Sequence, residues 1–315
     1  MKRILVTGAG GPAGIAVIRA LVERGDHVVA VDADPFAAGL SLASAPAVVS
    51  PATAPDRFLE ELAAIVEHGS IDAMVSTAAA EMLVLAGQED RLGAPVWLHN
   101  RRAVAACVDR WRLWKIAEHA RLPVAPCALA DHEPERVVGE LPGPWIVKAR
   151  FGRGSRAAYA VDEPAALVWA CHRIEQPIVQ TRLSGRQFTV DLLTDRDGRL
   201  AGVVPHWRLE TKAGISTKSR TFRDPRLEAV AAQAVAIYSL NGAASVSGFV
   251  TTDDEVVLTD VSPRFSGGLS LSLAAGADLV GELVRGTLGE PVRPERLAFR
   301  PDVTMVRRYT ELYAA

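Results

Sequence analysis

The chain has 315 residues, 49% of them hydrophobic and 23% charged, with a formal net charge of −2. That length suits roughly two domains and a sizeable core, and the near-zero charge leaves no electrostatic footprint for nucleic acid or an anionic membrane. Cys107, Cys127 and Cys171 lack metal-ligand spacing and, being three, cannot all pair, which fits a reducing compartment.

The run "RILVTG" starts a strand at once, with no signal-peptide region before it, and the longest apolar runs are broken and too short to span a membrane. A soluble, cytoplasmic protein is expected. "IAVIRALVERG" reads as a helix and "HVVAVDAD" as the next strand. In "RFLEELAAIVEHG", Phe58, Leu62, Ile65 and Val66 share a helical face, and "IDAMVST", "EMLVLAGQEDRLG" and "APVWL" continue the alternation. Such alternation predicts a parallel sheet covered by helices. "DRWRLWKIAEHARLP" predicts a helix with Leu113, Ile116, Ala117 and Ala120 at core spacing and Pro123 past its end.

Beyond residue 140 the pattern changes to α+β. "PWIVKARFGRGSRAAYAV" reads as two strands around a loop rich in glycine and arginine. "FTVDLLTDRDGRLAGVVP" reads as a hairpin turning at Asp197-Gly198, and "SGFVTTDDEVVLTDV" as another turning at Asp253-Asp254. Helices are expected near "PAALVWACHRI" and "RLEAVAAQAVAIYSL". A domain boundary is expected near residue 108.

Two segments could hold phosphate. "TGAGGPAG", with Gly8, Gly10, Gly11 and Gly14 between a strand and a helix, could bring a dinucleotide to the helix amides, with Asp32 at the ribose; it could equally be a tight turn that binds nothing. No tyrosine has a lysine four residues later, so a short-chain reductase lacks its catalytic pair. "IVKARFGRGSR" is more specific. Lys148 ends a strand, and Arg150, Gly152, Gly154 and Ser155 follow, so backbone amides and a fixed cation can converge on phosphate oxygens. "HWRLETKAGISTKSRT", with Arg208 and Lys218, is either a substrate loop or a charged surface loop. The histidines, His206 among them, show no ligand spacing and read as surface or core residues.

In "EVVLTDVSPRF", strict alternation puts Val256, Leu258, Asp260 and Ser262 on one face and Val257, Thr259 and Val261 on the other. An acid and a hydroxyl then end an apolar face just before Arg264.

The order of these motifs resembles the ATP-grasp superfamily, particularly stand-alone ligases similar to the carbamoyl-phosphate synthase large subunit. The resemblance covers nearly the whole chain. It implies a Rossmann-like pre-ATP-grasp domain over residues 1–107 and an ATP-grasp domain over 108–315, with a small subdomain at about 120–183. It implies ATP and Mg²⁺ as cofactors. Arg110 in "VDRWRLWKIAEHARLPVAP" would be the first nucleotide-binding cation. Lys148, Arg150, Gly152, Gly154 and Ser155 would surround the phosphates. Gln180, Thr181, Leu183 and Gln187 would line the base and ribose, with Thr181 and Gln187 where the family often has glutamates. Asp260 and Ser262 would hold Mg²⁺ where the family commonly reads Glu-Ile-Asn, and Arg264 would face the transferred phosphoryl group. Ser247 replaces a common Gln or Glu on the partner strand. Arg208 and Lys218 become candidate anchors for a substrate carboxylate.

The implied activity is an ADP-forming ligase that joins a small-molecule carboxylate to an amine through an acyl phosphate. No nucleic-acid or membrane partner is expected, and a homodimer is a family expectation. A non-catalytic nucleotide-binding protein and a nicotinamide-dependent oxidoreductase remain as rivals.

Overall fold

In the computed structural model, which describes residues 1–131, 133–152, 158–308, 310 and 311, the N-terminal third alternates strand and helix as its sequence predicts. β1 (Arg3–Thr7), α1 (Pro12–Glu23), β2 (His27–Asp32), β3 (Ala45–Val48), α2 (Pro55–Gly69) and β4 (Ala73–Ser76) build a parallel sheet in the order β3-β2-β1-β4. One face packs Leu5, Val29 and Val31 against Phe58 and Leu62 of α2. Fully burying side chains of this size contributes about 1.5–3 kcal/mol each. "APVWL" differs from expectation: only Val96 bridges to Met74, and no regular strand forms.

Three helices follow: α3 (Ala79–Leu85), α4 (Arg101–Val108) and α5 (Arg110–His119). Asp109 caps α5 by accepting from the backbone N–H groups of Trp111 and Arg112, both at 3.1 Å. Leu113 and Ala117 are buried as predicted, whereas Ala120 is exposed because the helix has ended before it.

β5 (Cys127–Leu129), α6 (Pro134–Glu140), β6 (Trp145–Ala149), β7 (Ala158–Val161), α7 (Pro164–Cys171) and β8 (Pro177–Thr181) form a small antiparallel sheet, ordered β5-β8-β6-β7, with its own core. The chain then builds a six-stranded antiparallel sheet. Its elements are β9 (Gly185–Thr194), β10 (Leu200–Lys212), β11 (Ile215–Thr221), α8 (Pro225–Tyr238), β12 (Ala243–Thr251) and β13 (Val256–Ser262). α9 (Leu269–Ala274), α10 (Leu279–Thr287) and the edge strand β14 (Thr304–Val306) complete it, in the strand order β13-β12-β9-β10-β11-β14. Both predicted hairpin turns are present, with Gly198 and Asp254 at positive φ.

One face of the large sheet packs Val190, Leu192 and Val246 against α8 and α4. On the other face, Leu193 and Val204 join α1, α9, α10 and the N-terminal sheet in a shared core. The small and large sheets meet where the chain leaving α5 runs beside β13: Leu258 N–H donates to Pro123 O at 2.8 Å, and Ala125 N–H to Leu258 O at 3.0 Å.

Strand β13 departs from strict alternation. Ser247 registers with Asp260 but Gly248 with Leu258, so Thr259 is an extra residue in the ladder. Leu258 and Val261 consequently enter the same core, with Val256 packed against it, while Asp260 and Ser262 keep a common face away from it. The expected face of Val256, Leu258, Asp260 and Ser262 is therefore split in two. A bulge reverses side-chain parity, and here it turns the acid out of an apolar strand.

Candidate active site

Where the two antiparallel sheets meet, a cleft is lined by Arg110 and Trp114 of α5, Cys127 of β5, Lys148 of β6, Gln180 of β8 and Asp260 of β13. The residues span 150 positions of sequence, and each comes from a different piece of local grammar. Arg110 and Trp114 lie one turn apart on a capped helix. Lys148 and Gln180 stand on neighbouring strands, two residues out of register on the same face, and the Lys148 ammonium donates to Gln180 Oε1 at 3.0 Å. Burial pushes the Lys148 ammonium down and Arg110 adds to this, against an opposing pull from Asp260. Burial also lifts the Cys127 thiol, up to about 12 despite the nearby Lys148, so it stays a neutral wall of the cleft.

Arg110 donates to Ala149 O at 2.7 Å and Gly152 O at 3.1 Å, which fixes its head beside the end of β6. Arg150 is placed differently from expectation. Its guanidinium forms a bidentate pair with Asp109, at 2.6 and 2.8 Å, and its charge is balanced there. Gly152 has φ +135°, with open space where a Cβ would stand. Gly154 and Ser155 lie outside the described residues. Thr181 donates to Pro142 O at 3.3 Å, Leu183 follows the end of β8, and Gln187 is half-buried on β9.

From Asp260 at the cleft, polar residues continue in rows across the large sheet. Asp260, Ser247, Thr189 and His206 register in one row across β13, β12, β9 and β10. Ser262, Ser245 and Asp191 form the next row. Thr189 and Ser247 share a hydroxyl hydrogen bond at 3.0 Å. Arg208 is half-buried; its Nε donates to Ser216 Oγ at 3.1 Å and its Nη2 to Gly214 O at 2.6 Å. Burial lowers its pKa, with Asp260 opposing. Lys218 does not join it: Lys218 is exposed and paired with Glu210 at 2.8 Å. The hairpin therefore combines both readings, a cleft-side arginine and a charged outer surface.

Asp260 has no hydrogen-bond or ion-pair partner among the described residues, and no cluster of three or more His, Cys, Asp or Glu there could hold an ion alone. The donors on this face are one carboxylate and several hydroxyls, all hard oxygen. That set fits Mg²⁺, which takes one or two carboxylates and completes its shell with phosphate and water oxygens. Arg264 follows Ser262 by two residues and donates to Phe265 O at 2.8 Å.

The N-terminal glycine loop is braced by the protein's own groups. The Asp32 carboxylate accepts from Gly10 N–H at 2.7 Å and from Asp34 N–H at 3.0 Å, so both oxygens are engaged in holding loops. A Cβ at Gly14 would collide with the Gly8 carbonyl oxygen, and one at Gly10 would sit 3.2 Å from Asp32 Oδ2. These glycines serve close packing of the protein on itself.

Trp114, Thr189, Asp191 and His206 were not singled out by motif. Alternation in "FTVDLL" carries a signal, since Thr189 and Asp191 interrupt an otherwise apolar strand on one face. Nothing local to the sequence marks the buried His206.

Known structures share this fold. The 2-oxoglutarate carboxylase biotin carboxylase domain dimer of Hydrogenobacter thermophilus, in complex with MgADP, ADP and bicarbonate, matches at TM-score 0.76 and 16% identity, over 95% of this chain and 72% of that one. The L-amino acid ligase of Bacillus licheniformis matches at 0.75 and 14%, over 96% and 78%. N5-carboxyaminoimidazole synthetase of Staphylococcus aureus matches at 0.70 and 15%, over 93% and 78%. The fold is ATP-grasp. Residues 173–311 of the chain also match the family model described as "ATP-grasp in the biosynthetic pathway with Ter operon". A search of curated proteins found no match. The superfamily resemblance and the fold expected from sequence are thus borne out. Among the described residues, no helix of this ATP-grasp chain is long and apolar enough to cross a membrane.

Proposed function

We propose that the chain is an ATP-dependent ligase that joins a small-molecule carboxylate to an amine. The observation that carries this reading is the convergence of Lys148, Arg110 and Asp260 in one cleft between two sheets. Two cations facing one acid make a site that favours a polyanion held together with a divalent cation. Bound nucleotide and its metal are observed in a relative of the same fold, the biotin carboxylase domain above.

In this reading Lys148 and Arg110 hold the nucleotide phosphates, while Gln180 keeps the lysine head in place from the neighbouring strand. Asp260 and Ser262 would hold Mg²⁺, which when bound supplies positive charge against the phosphate oxygens. Arg208 orients the substrate carboxylate from the large sheet, braced by Ser216 and the Gly214 carbonyl. A carboxylate oxygen attacks the γ-phosphorus of ATP, and the bond to the bridging oxygen breaks to release ADP. Arg264 offsets charge on the transferred phosphoryl oxygens. The amine then attacks the acyl carbon, phosphate departs and the amine loses a proton. No protein nucleophile is needed, since positioning and charge stabilisation carry phosphoryl transfer.

A second reading has a specific observation behind it. Ser245, Ser247 and Ser262 share the cleft-side face on which Asp260 is the only carboxylate of β12 and β13, so the metal's protein ligands are few and short. This favours a nucleotide-binding protein without ligase chemistry. Both Asp32 oxygens are taken up by backbone amides of the protein, which weakens the oxidoreductase reading.

The test is a matrix of carboxylates and amines, scored for ADP and phosphate release with wild type, Lys148→Ala and Asp260→Asn. Release that needs both substrates and both residues is the expected outcome. Tight nucleotide binding with no release from any pair would favour the second reading, and no nucleotide binding would defeat both.

A further inference from the structure

We propose that Asp191 and His206 form a buried seat that positions Arg264 through the turn following β13. The inference rests on the role given above to Arg264, and neither seat residue needs to touch a substrate.

Asp191 lies on β9 with no solvent exposure. Its carboxylate accepts from the Ser266 backbone N–H at 2.7 Å and from the Ser272 hydroxyl at 2.8 Å, so it ties both the turn and α9 to the sheet. Burial pushes this carboxyl up, but His206 and the two serine bonds outweigh it and hold the group below the usual carboxylate range. His206 is 1% exposed, with Nε2 3.5 Å from Asp191 Oδ2. Among the described residues neither ring nitrogen has a hydrogen bond of good geometry, so the ring acts on the seat through close packing.

The ring also sets the shape of the turn. A Cβ at Gly268 would stand 2.5 Å from His206 Cε1 and 2.9 Å from Nε2. Between these anchors, the Arg307 guanidinium donates to Gly267 O at 2.6 Å. Three consecutive residues, Ser266, Gly267 and Gly268, are thus gripped by three groups remote in sequence. Arg264 stands two residues before the first of them.

Burying a carboxylate carries a desolvation penalty, and an apolar pair often fills such a space with no loss of stability. A charged seat under one short turn is explained if the turn's exact placement matters. An error of about 1 Å at a reacting group can cost on the order of a hundredfold in rate.

The test needs no knowledge of the ligated substrates. Calorimetry on the full chain compares ADP with β,γ-methylene-ATP, both with Mg²⁺. Arg264→Ala should reduce the preference for the triphosphate about tenfold. Asp191→Asn should reduce it by a similar factor, leave ADP affinity within about twofold, and add little in the Arg264→Ala background, because the two act through one group. Amide exchange should quicken in the 264–268 turn while β9 and β10 stay protected. Gly268→Ala should mimic Asp191→Asn, and His206→Ala in that background should restore part of the preference by removing the collision.

Equal losses for both nucleotides, or Asp191→Asn and Arg264→Ala losses that simply add, would make the pair a structural element and overturn the proposal. If Asp191→Asn does not fold, the Gly268→Ala and Gly268→Ala/His206→Ala pair decides, and an unchanged preference in Gly268→Ala overturns it. Nucleotide binding that depends on Lys148 but shows no Arg264-dependent triphosphate preference would also overturn it, while leaving the cleft assignment standing.

Discussion

Between β1 and α1, Gly8, Gly10 and Gly14 make room for the protein's own atoms, and Asp32 beside them is engaged by two backbone amides. Around Lys148 the balance is reversed. The half-buried lysine meets a single neutral acceptor, Arg110 is held by carbonyls, and among the described residues the Trp114 indole N–H is buried without a partner. The first region is self-satisfied, whereas the second holds charge and hydrogen-bonding capacity that a ligand would complete. Glycine spacing alone does not separate these cases. The separation comes from where the neighbouring polar groups are already engaged.

The largest effect should come from the acid of the second region. Asp260→Asn should lower ADP release by roughly a hundredfold or more, as expected when several kcal/mol of charge stabilisation is lost, with the melting temperature little changed. Asp260→Glu should retain or improve release over a Mg²⁺ titration. Normal turnover in Asp260→Asn would remove the acid from the metal site.

Lys148→Ala should weaken ATP binding by roughly 1.5–3 kcal/mol, one to two decades, for the loss of a charge-assisted bond. Asp32→Ala should leave binding unchanged. Equal losses in calorimetry would erase the contrast between the regions. The wild-type pH profile sharpens it. Burial lowers the Lys148 pKa, so affinity is full on the acid side, where the lysine is charged, and declines as pH rises at values below the ordinary lysine range. Lys148→Arg should move that decline upward, and a profile indifferent to this change would remove Lys148 from the phosphate site.

In the first region the effect should appear in stability instead. Gly14→Ala forces a methyl into the Gly8 carbonyl and should cost about 1–3 kcal/mol by overpacking, read by denaturant titration. Native stability with lost nucleotide affinity would reverse the assignment of that loop.

The smallest effect is the most diagnostic in sign. Trp114→Phe deletes the unpartnered donor, so the free protein should be as stable as wild type or slightly more so. ATP affinity should fall by about 0.5–1.5 kcal/mol, roughly two- to tenfold. A destabilised variant with unchanged affinity would make Trp114 a packing residue only.

The sequence pattern exposes local features well. The parallel first sheet, both hairpins, the helix ending before Pro123 and the strand-borne Lys148 all follow from periodicity and turn chemistry. What it does not expose are pairings across long separations. Arg150 reads as a phosphate ligand until Asp109 is seen beside it, and Lys218 reads as an anchor until Glu210 claims it. His206 has no neighbouring signal because its partners, Asp191 and Gly268, are 15 and 62 residues away in sequence. The bulge at Thr259 is equally hidden, since a ladder's register depends on its partner strand as much as on its own residues.

That bulge also bears on how this strand can change over evolutionary time. Up to Leu258 the residues of β13 keep step with the core, and from Asp260 onward they keep step with the cleft. A substitution changes one side chain, but an insertion or deletion of a single residue within the strand would exchange the inward and outward sets together. Gain and loss of single residues are better tolerated at the Asp253-Asp254 turn, where neither set is displaced. Between that turn and Arg264, the fold constrains the length of the strand more tightly than much of its composition.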